Sequence, residues 1–149
     1  MPDDGLLDLD NQLCFALYAT TRRVVRAYTE ALQPLDLTYP QYLVLLVLWE
    51  WARDGQGRPT VKALGDRLEL DSGTLTPLLR RLQAKRLLTR HRSDTDEREV
   101  WVRLTTEGRR LKRRARSIPL TLGTQCSLPL EDLLSLRDQL NRLRRASAA

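Results

Sequence analysis

The sequence predicts a mainly α-helical fold with a single small β-hairpin. Three observations carry this. Apolar residues recur at three- and four-residue spacing over most of the chain, the pattern switches to strict alternation only between Leu87 and Leu104, and capping residues, glycines and prolines cut the helical regions into short central segments between two longer terminal ones. At 149 residues the chain is long enough for one domain with a real core and too short for two ordinary ones.

The first periodic segment runs from about Asp10 to Leu32, with Leu9, Leu13, Leu17, Val24, Ala27 and Ala31 at helical spacing. A second apolar row, Cys14, Leu17, Tyr18, Val25 and Tyr28, widens the stripe beyond what one packing partner requires, so this helix is expected to pack against more than its own domain. Thr38-Tyr39-Pro40 reads as an N-cap with proline in the first turn of a short buried helix over Tyr42 to Trp49. Arg53 to Pro59 is a polar, glycine-rich loop, and Thr60 caps a third helix, Val61 to Leu68. After Glu69-Leu70-Asp71 a fourth helix runs from about Ser72 to Lys85, with Leu75, Leu78, Leu79 and Leu82 on one side; two short helices joined by a tight turn outline a helix-turn-helix. The hairpin follows, with Ser93-Asp94-Thr95-Asp96 at its charged tip and Val100, Val102 and Leu104 on its return strand. A fifth helix starts at Thr105-Thr106-Glu107 and is expected to stop near Pro119, leaving Leu120 to Pro129 irregular. Leu130 to Ala146 closes the chain as a helix whose Leu133, Leu136, Leu140 and Leu143 form a seam that suggests a dimer.

Composition narrows the chemistry. One histidine and two cysteines fall short of the ligand sets zinc usually takes, so no metal site and no cofactor are expected. There is no phosphate-cradling glycine loop, and His91 sits among arginines without a Ser or Asp constellation, so the chain is not expected to be an enzyme. No stretch approaches the roughly 20 apolar residues of a membrane span. The acidic opening MPDDGLLDLDNQ does not read as a secretory signal, which makes a cytoplasmic location the expectation. In a reducing compartment Cys14 and Cys126 are either two buried thiols or a redox device.

Charge points further. Of the 25 Lys+Arg only Lys62, Lys85 and Lys112 are lysines, and arginine's planar fork suits phosphates and base edges. Residues 80–116 hold 14 Lys+Arg against 5 acids, a local +9 on a chain whose formal net charge is +6, so the remainder is −3. A solvated charged face is the ordinary reading of such a run. Here the same window holds the helix-turn-helix and the hairpin, which favours nucleic acid. A helix fits the ~12 Å major groove, where Ser72, Thr74, Thr76 and Arg80 would reach bases and phosphates. The hairpin tip would reach the adjacent minor groove, where Arg90, Arg92 and Arg98 respond to groove width and phosphate.

The order of these elements, with D-x-D-x-R at the hairpin tip (Asp94 to Arg98) and V-x-L-T-x-x-G after it (Val102 to Gly108), resembles the MarR family of winged-helix repressors over nearly the whole chain. LDNQLCFALY (residues 9–18), LDSGTLTPLL (residues 70–79) and the DER before the second strand are similar to the organic hydroperoxide resistance regulators of that family, in their two-cysteine form. The resemblance implies one MarR-like domain over residues 1–149. Residues 10–35 and 118–149 would form the dimer interface and residues 38–104 the winged helix-turn-helix. It implies a homodimeric repressor bound to a pseudo-palindromic operator on double-stranded DNA, with Asp96 and Arg98 in the DNA-contacting tip. An organic hydroperoxide would oxidise Cys14, whose sulfur is hydrogen-bonded by Tyr28 and Tyr39 of the partner subunit, and Cys126 would trap it as an inter-subunit disulfide. The residues agree in part. Cys14 lies about one turn into the first helix, where exposed amides favour negative charge. Tyr28 lies 14 residues further on, roughly 21 Å along the helix axis, so it can approach Cys14 only in another subunit. Three alternatives stay open: a repressor released by a small phenolic or anionic ligand, a thiol peroxidase using Cys14 and Cys126, and a DNA-binding protein with no signal input.

Overall fold

A computed structural model describes residues 5–55, 59–125 and 127–147. Seven α-helices and one two-stranded antiparallel sheet make up these residues: α1 (Leu13–Leu32), α2 (Tyr39–Asp54), α3 (Val61–Leu68), α4 (Ser72–Ala84), β1 (Leu88–Arg92), β2 (Val100–Leu104), α5 (Thr106–Ala115), α6 (Ser117–Gln125) and α7 (Leu130–Ala146). None of the helices is long and apolar enough to cross a membrane.

Side-chain caps set the starts of α2 to α5, which is why those starts were legible. Thr38 and Gln41 form a reciprocal capping box at α2, with Pro40 in the first turn where its missing N–H costs nothing. Thr60 caps α3, Asp71 caps α4 and Thr105 caps α5, each accepting from the amide three residues on. Gly55, at φ 63°, closes α2 in the left-handed conformation that glycine adopts without strain. The hairpin pairs Leu88 with Leu104 and Arg92 with Val100, and Val102 N donates to Pro59 O at 2.7 Å, which ties the wing to the segment before α3.

The core centres on α2. Its Tyr42, Val44, Leu45, Val47, Leu48 and Trp49 are buried against Leu64 of α3, Leu75, Leu79 and Leu82 of α4, and Leu88, Val102 and Leu111. α2 is longer than the Tyr42-to-Trp49 segment expected: it starts at the Thr38 cap and runs on through Arg53 and Asp54, which were expected in the loop. The polar residues of its last turn break the apolar run without breaking the helix. The turn between α3 and α4 folds back so tightly on α3 that a Cβ on Gly65 would lie 2.9 Å from the Leu70 carbonyl oxygen.

Two expectations are corrected. The fourth helix ends at Ala84, one residue short, with Lys85 as its cap. More substantially, Pro119 does not stop the fifth helix, and residues up to 125 are not irregular. α5 ends at Ala115, and α6 begins at Ser117 with Pro119 as its third residue. Proline is a breaker only where an i→i−4 donor is required, and the first turn requires none.

α5 crosses the connection between α4 and β1 at Gly108, where a Cβ would collide with the Leu87 carbonyl oxygen. Gly108→Ala is therefore expected to lower the unfolding free energy by about 3 kcal/mol. A urea titration checks this; an unchanged midpoint would mean the crossing is not tight.

Candidate nucleic-acid interface and thiol site

α4 turns its leucines inward and presents Ser72, Gly73, Thr74, Pro77 and Arg80 to solvent, with Thr76 half-buried at the edge. The Asp71 carboxylate that starts the helix accepts from Thr74 N at 2.7 Å. That bond and the Thr74 hydroxyl hold Asp71 below the ordinary carboxylate range. Thr74 is thus partly occupied by the cap. Ser72, Thr76 and Arg80 make no side-chain hydrogen bond or ion pair among the described residues.

The wing tip is organised from within. Ser93, 5% exposed, points its hydroxyl at Thr95 Oγ1 (3.0 Å) and accepts from the amides of Thr95 and Asp96 (3.3 Å each). Ser93 N donates to Glu99 O at 2.8 Å, and Asp96 Oδ1 accepts from Arg98 N at 2.9 Å. Asp96 therefore has a use inside the chain, folding the turn that carries Arg98. The guanidinium groups of Arg92 and Arg98 are exposed and unengaged among the described residues. Arg90 is not free: its Nε donates to Gln83 Oε1 at 2.8 Å and fastens β1 to the end of α4. Between the tip and the start of α4 lies a cavity of about 590 Å³, lined among others by Asp66, Asp71, Ser72, Asp96 and Arg98.

Other cations of the basic window also have partners within the chain. Lys85 pairs with Asp36, Arg110 with Glu107, and Arg114 donates to the Pro34 carbonyl at 2.7 Å. The basic excess is therefore not a uniform nucleic-acid face; among the described residues its free part includes Arg80 and Arg81 of α4, Arg92 and Arg98 of the wing, and Arg109 and Arg113 of α5. Sequence reasoning missed Ser93, Lys85 and Arg114, whose partners are made by tertiary packing.

The thiol site splits between two ends of one helix. Cys14 is the second residue of α1 and is exposed in the single chain. Tyr28 is near the other end, half-buried, with its ring centroid 4.4 Å from that of Tyr39 and 5.9 Å from that of Tyr42. Burial pushes the Tyr39 phenol up; burial, with the neighbouring Tyr28 and Tyr39, pushes Tyr42 up to about 12. The two tyrosines expected to act together are thus together, and Cys14 is brought to neither within one chain. Cys126 lies outside the described residues. On α1 only Leu32 is buried, while Leu13, Phe15, Tyr18 and Val24 are exposed; on α7 no residue is buried, and Leu134, Leu136, Leu140 and Leu143 are exposed.

A capped helix-turn-helix followed by a two-stranded wing, inside a mainly helical chain, defines a winged-helix transcriptional regulator. A family model described as the transcriptional regulator SarA/Rot matches residues 26–115. The organic hydroperoxide resistance transcriptional regulator of Bacillus subtilis (strain 168) is 46% identical over 137 residues, 92% of this chain and 90% of that one. Reduced AbfR bound to DNA, from Staphylococcus epidermidis, superimposes with a TM-score of 0.76 at 30% identity over 95% of each chain; disulfide-formed AbfR gives 0.65 at 33% over 91% of each. The chain belongs to the MarR/SarA family of winged-helix regulators, and so is a regulator and not an enzyme.

The buried Ser93 hydroxyl generates a direct expectation. Ser93→Ala removes the acceptor of two amides and should speed hydrogen exchange at Thr95 and Asp96 by roughly tenfold, corresponding to about 1.4 kcal/mol, with the α2 core unaffected. Unchanged exchange at those two amides would show that the tip is held by other contacts.

Proposed function

We propose that the protein is a homodimeric, DNA-binding repressor that senses organic hydroperoxides through Cys14 and then releases its operator, a pseudo-palindromic duplex, to derepress a peroxide-detoxification gene. The observation that carries this reading is an exposed Cys14 at the start of a helix whose apolar face is uncovered in the single chain. The paired Tyr28 and Tyr39 lie near the far end of that helix and at the start of α2. Antiparallel association of two α1 helices would set the cysteine of one subunit beside the tyrosines of the other. In support, the Bacillus subtilis relative is named for organic hydroperoxide resistance, and AbfR is known in reduced, overoxidised and disulfide forms, the first two on DNA.

The chemistry balances. The Cys14 thiolate attacks the outer peroxide oxygen, the O–O bond breaks, and an alcohol leaves with one proton from solvent, giving the sulfenic acid. The Cys126 thiol of the partner subunit then attacks that sulfur, forming the disulfide and expelling water. Tyr28 and Tyr39 would donate to the reactive sulfur or its oxygen and orient it. In this reading residues 10–35 and 118–149 form the dimer interface, and α4 and the wing of residues 38–104 engage successive grooves. Ser72, Thr76 and Arg80 reach the major groove, and Arg92 and Arg98 the minor groove. Thr74, Arg90 and Asp96 hold these elements in shape.

Two experiments test it. Fluorescence anisotropy of the reduced protein on DNA from upstream of its own gene should show release on roughly stoichiometric cumene hydroperoxide, reversed by dithiothreitol. Cys14→Ser should stay bound, and Cys126→Ser should yield no covalent dimer on a non-reducing gel. Release of Cys14→Ser by the peroxide would overturn the sensor assignment. In the same assay Arg98→Ala should weaken binding several-fold and lower the slope of log affinity against log salt by about 0.9, the contribution of one phosphate. An unchanged slope would remove the wing from the interface.

A further inference from the structure

We propose that the backbone carbonyl of Gly73, set free by Pro77, is a base-reading group of α4; this rests on the reading of α4 as a major-groove helix. Pro77 is the sixth residue of the 13-residue α4, and the helix continues through it. A proline has no N–H, so the i→i−4 bond that would end on the Gly73 carbonyl cannot form, and the ring crowds that carbonyl away from the helix axis. In a helix interior this costs about 3 kcal/mol relative to alanine. Packing does not offset the cost, because Pro77 is exposed on the face opposite Leu75, Leu78, Leu79 and Leu82. No side chain of the described residues donates to the freed oxygen. Residue 73 is itself a glycine and exposed, so it brings no side chain of its own over that oxygen.

Position gives the freed acceptor its use. Gly73, Pro77, Arg80 and Ala84, spaced four, three and four apart, form one exposed ridge along the helix. A helix docked by this ridge would turn two features to the groove floor: the donor fork of the Arg80 side chain and, about two turns before it, a fixed main-chain acceptor. In the major groove only the amino groups of adenine and cytosine donate, while guanine and the thymine carbonyl present acceptors. The Gly73 carbonyl therefore selects adenine or cytosine at one position of each half-site. Being main chain, it is fixed in place without loss of side-chain entropy.

The test is selection from a random duplex library by the reduced wild-type protein and by Pro77→Ala, in which residue 77 regains its N–H and closes the bond to Gly73. The variant should melt at a higher temperature yet select a motif relaxed at one position of each half-site. At that position, an adenine or cytosine analogue lacking the exocyclic amino group should cost the wild type roughly tenfold in affinity, within the range of one base contact, and should cost the variant nothing. An identical motif from both proteins, or weaker binding by Pro77→Ala to every duplex alike, would overturn the proposal and leave the DNA-binding reading intact. If the wild type selects no motif, the DNA-binding reading fails and this inference falls with it.

Discussion

The fold turns on one crossing. Trp49 Nε1 donates to the Gly108 carbonyl at 2.8 Å, a buried bond between residues 59 apart in sequence. On the other side of Gly108 the Leu87 carbonyl leaves no room for a side chain, and that carbonyl accepts from Thr105 N at 3.1 Å. The Thr105 hydroxyl, while capping α5, also donates to Arg86 O at 2.6 Å. The central helix α2, the end of α4, both wing strands and the start of α5 are thus joined within a few residues. An indole N–H buried without an acceptor would cost on the order of 1–3 kcal/mol, so the position of α5 is set by α2 as much as by chain connectivity. The recognition helix and the wing consequently form one rigid piece.

Three junctions, one of them part of this crossing, are held from a distance. Asp36, Glu69 and Arg86 adopt left-handed conformations, at φ 52°, 56° and 58°, between α1 and α2, α3 and α4, and α4 and β1. Each is strained for a residue with a side chain, and each is held by a residue remote in sequence: Lys85 on Asp36, Arg144 on Glu69, and Thr105 on the Arg86 carbonyl. The α1–α2 turn is clamped twice, because Arg114 also binds Pro34 O. A row of rings, Tyr39, Tyr28, Tyr42 and Trp49, runs from this turn to the Gly108 crossing with successive centroids 4.4, 5.9 and 6.4 Å apart. Any shift of the Tyr28–Tyr39 pair therefore presses on close-packed rings that end at the piece carrying α4 and the wing.

What the sequence made legible follows from this. Helix starts were readable because their caps are local, with Thr38, Thr60, Asp71 and Thr105 each bonded three residues on. The hairpin was readable because alternation marks a half-buried strand. α6 was not, because Pro119 was weighed as a breaker without regard to its place in a first turn. Of the candidate site, the exposed α4 residues and the wing arginines were legible as charge on a motif. Which arginines are free was not, since Arg90 is taken by Gln83 and Arg114 by Pro34. The buried hydroxyl of Ser93 gave no sequence signal at all, because its partners are made by the turn it organises.

The terminal helices pose the remaining constraint. α7 has 17 residues and buries none of them, and among the described residues its polar side-chain tie to the winged-helix part is the Arg144–Glu69 pair at 2.6 Å. An exposed pair of this kind contributes no more than about 1 kcal/mol, and a helix of this length is marginal alone in water. Favourable end charges, Glu131 and Asp132 at the start and Arg144 and Arg145 at the end, add only tenths to about 1 kcal/mol each. The leucines of α7, like Leu13, Phe15 and Tyr18 of α1, therefore need covering for these helices to persist. In the proposed dimer each subunit's faces cover the other's, so folding of α1 and α7 and association become one event. Cys14 sits on the first of these faces. In that proposed dimer, oxidation at Cys14 would act on the contacts that stabilise both helices, and through the α1–α2 turn it would reach the spacing of the two α4 helices.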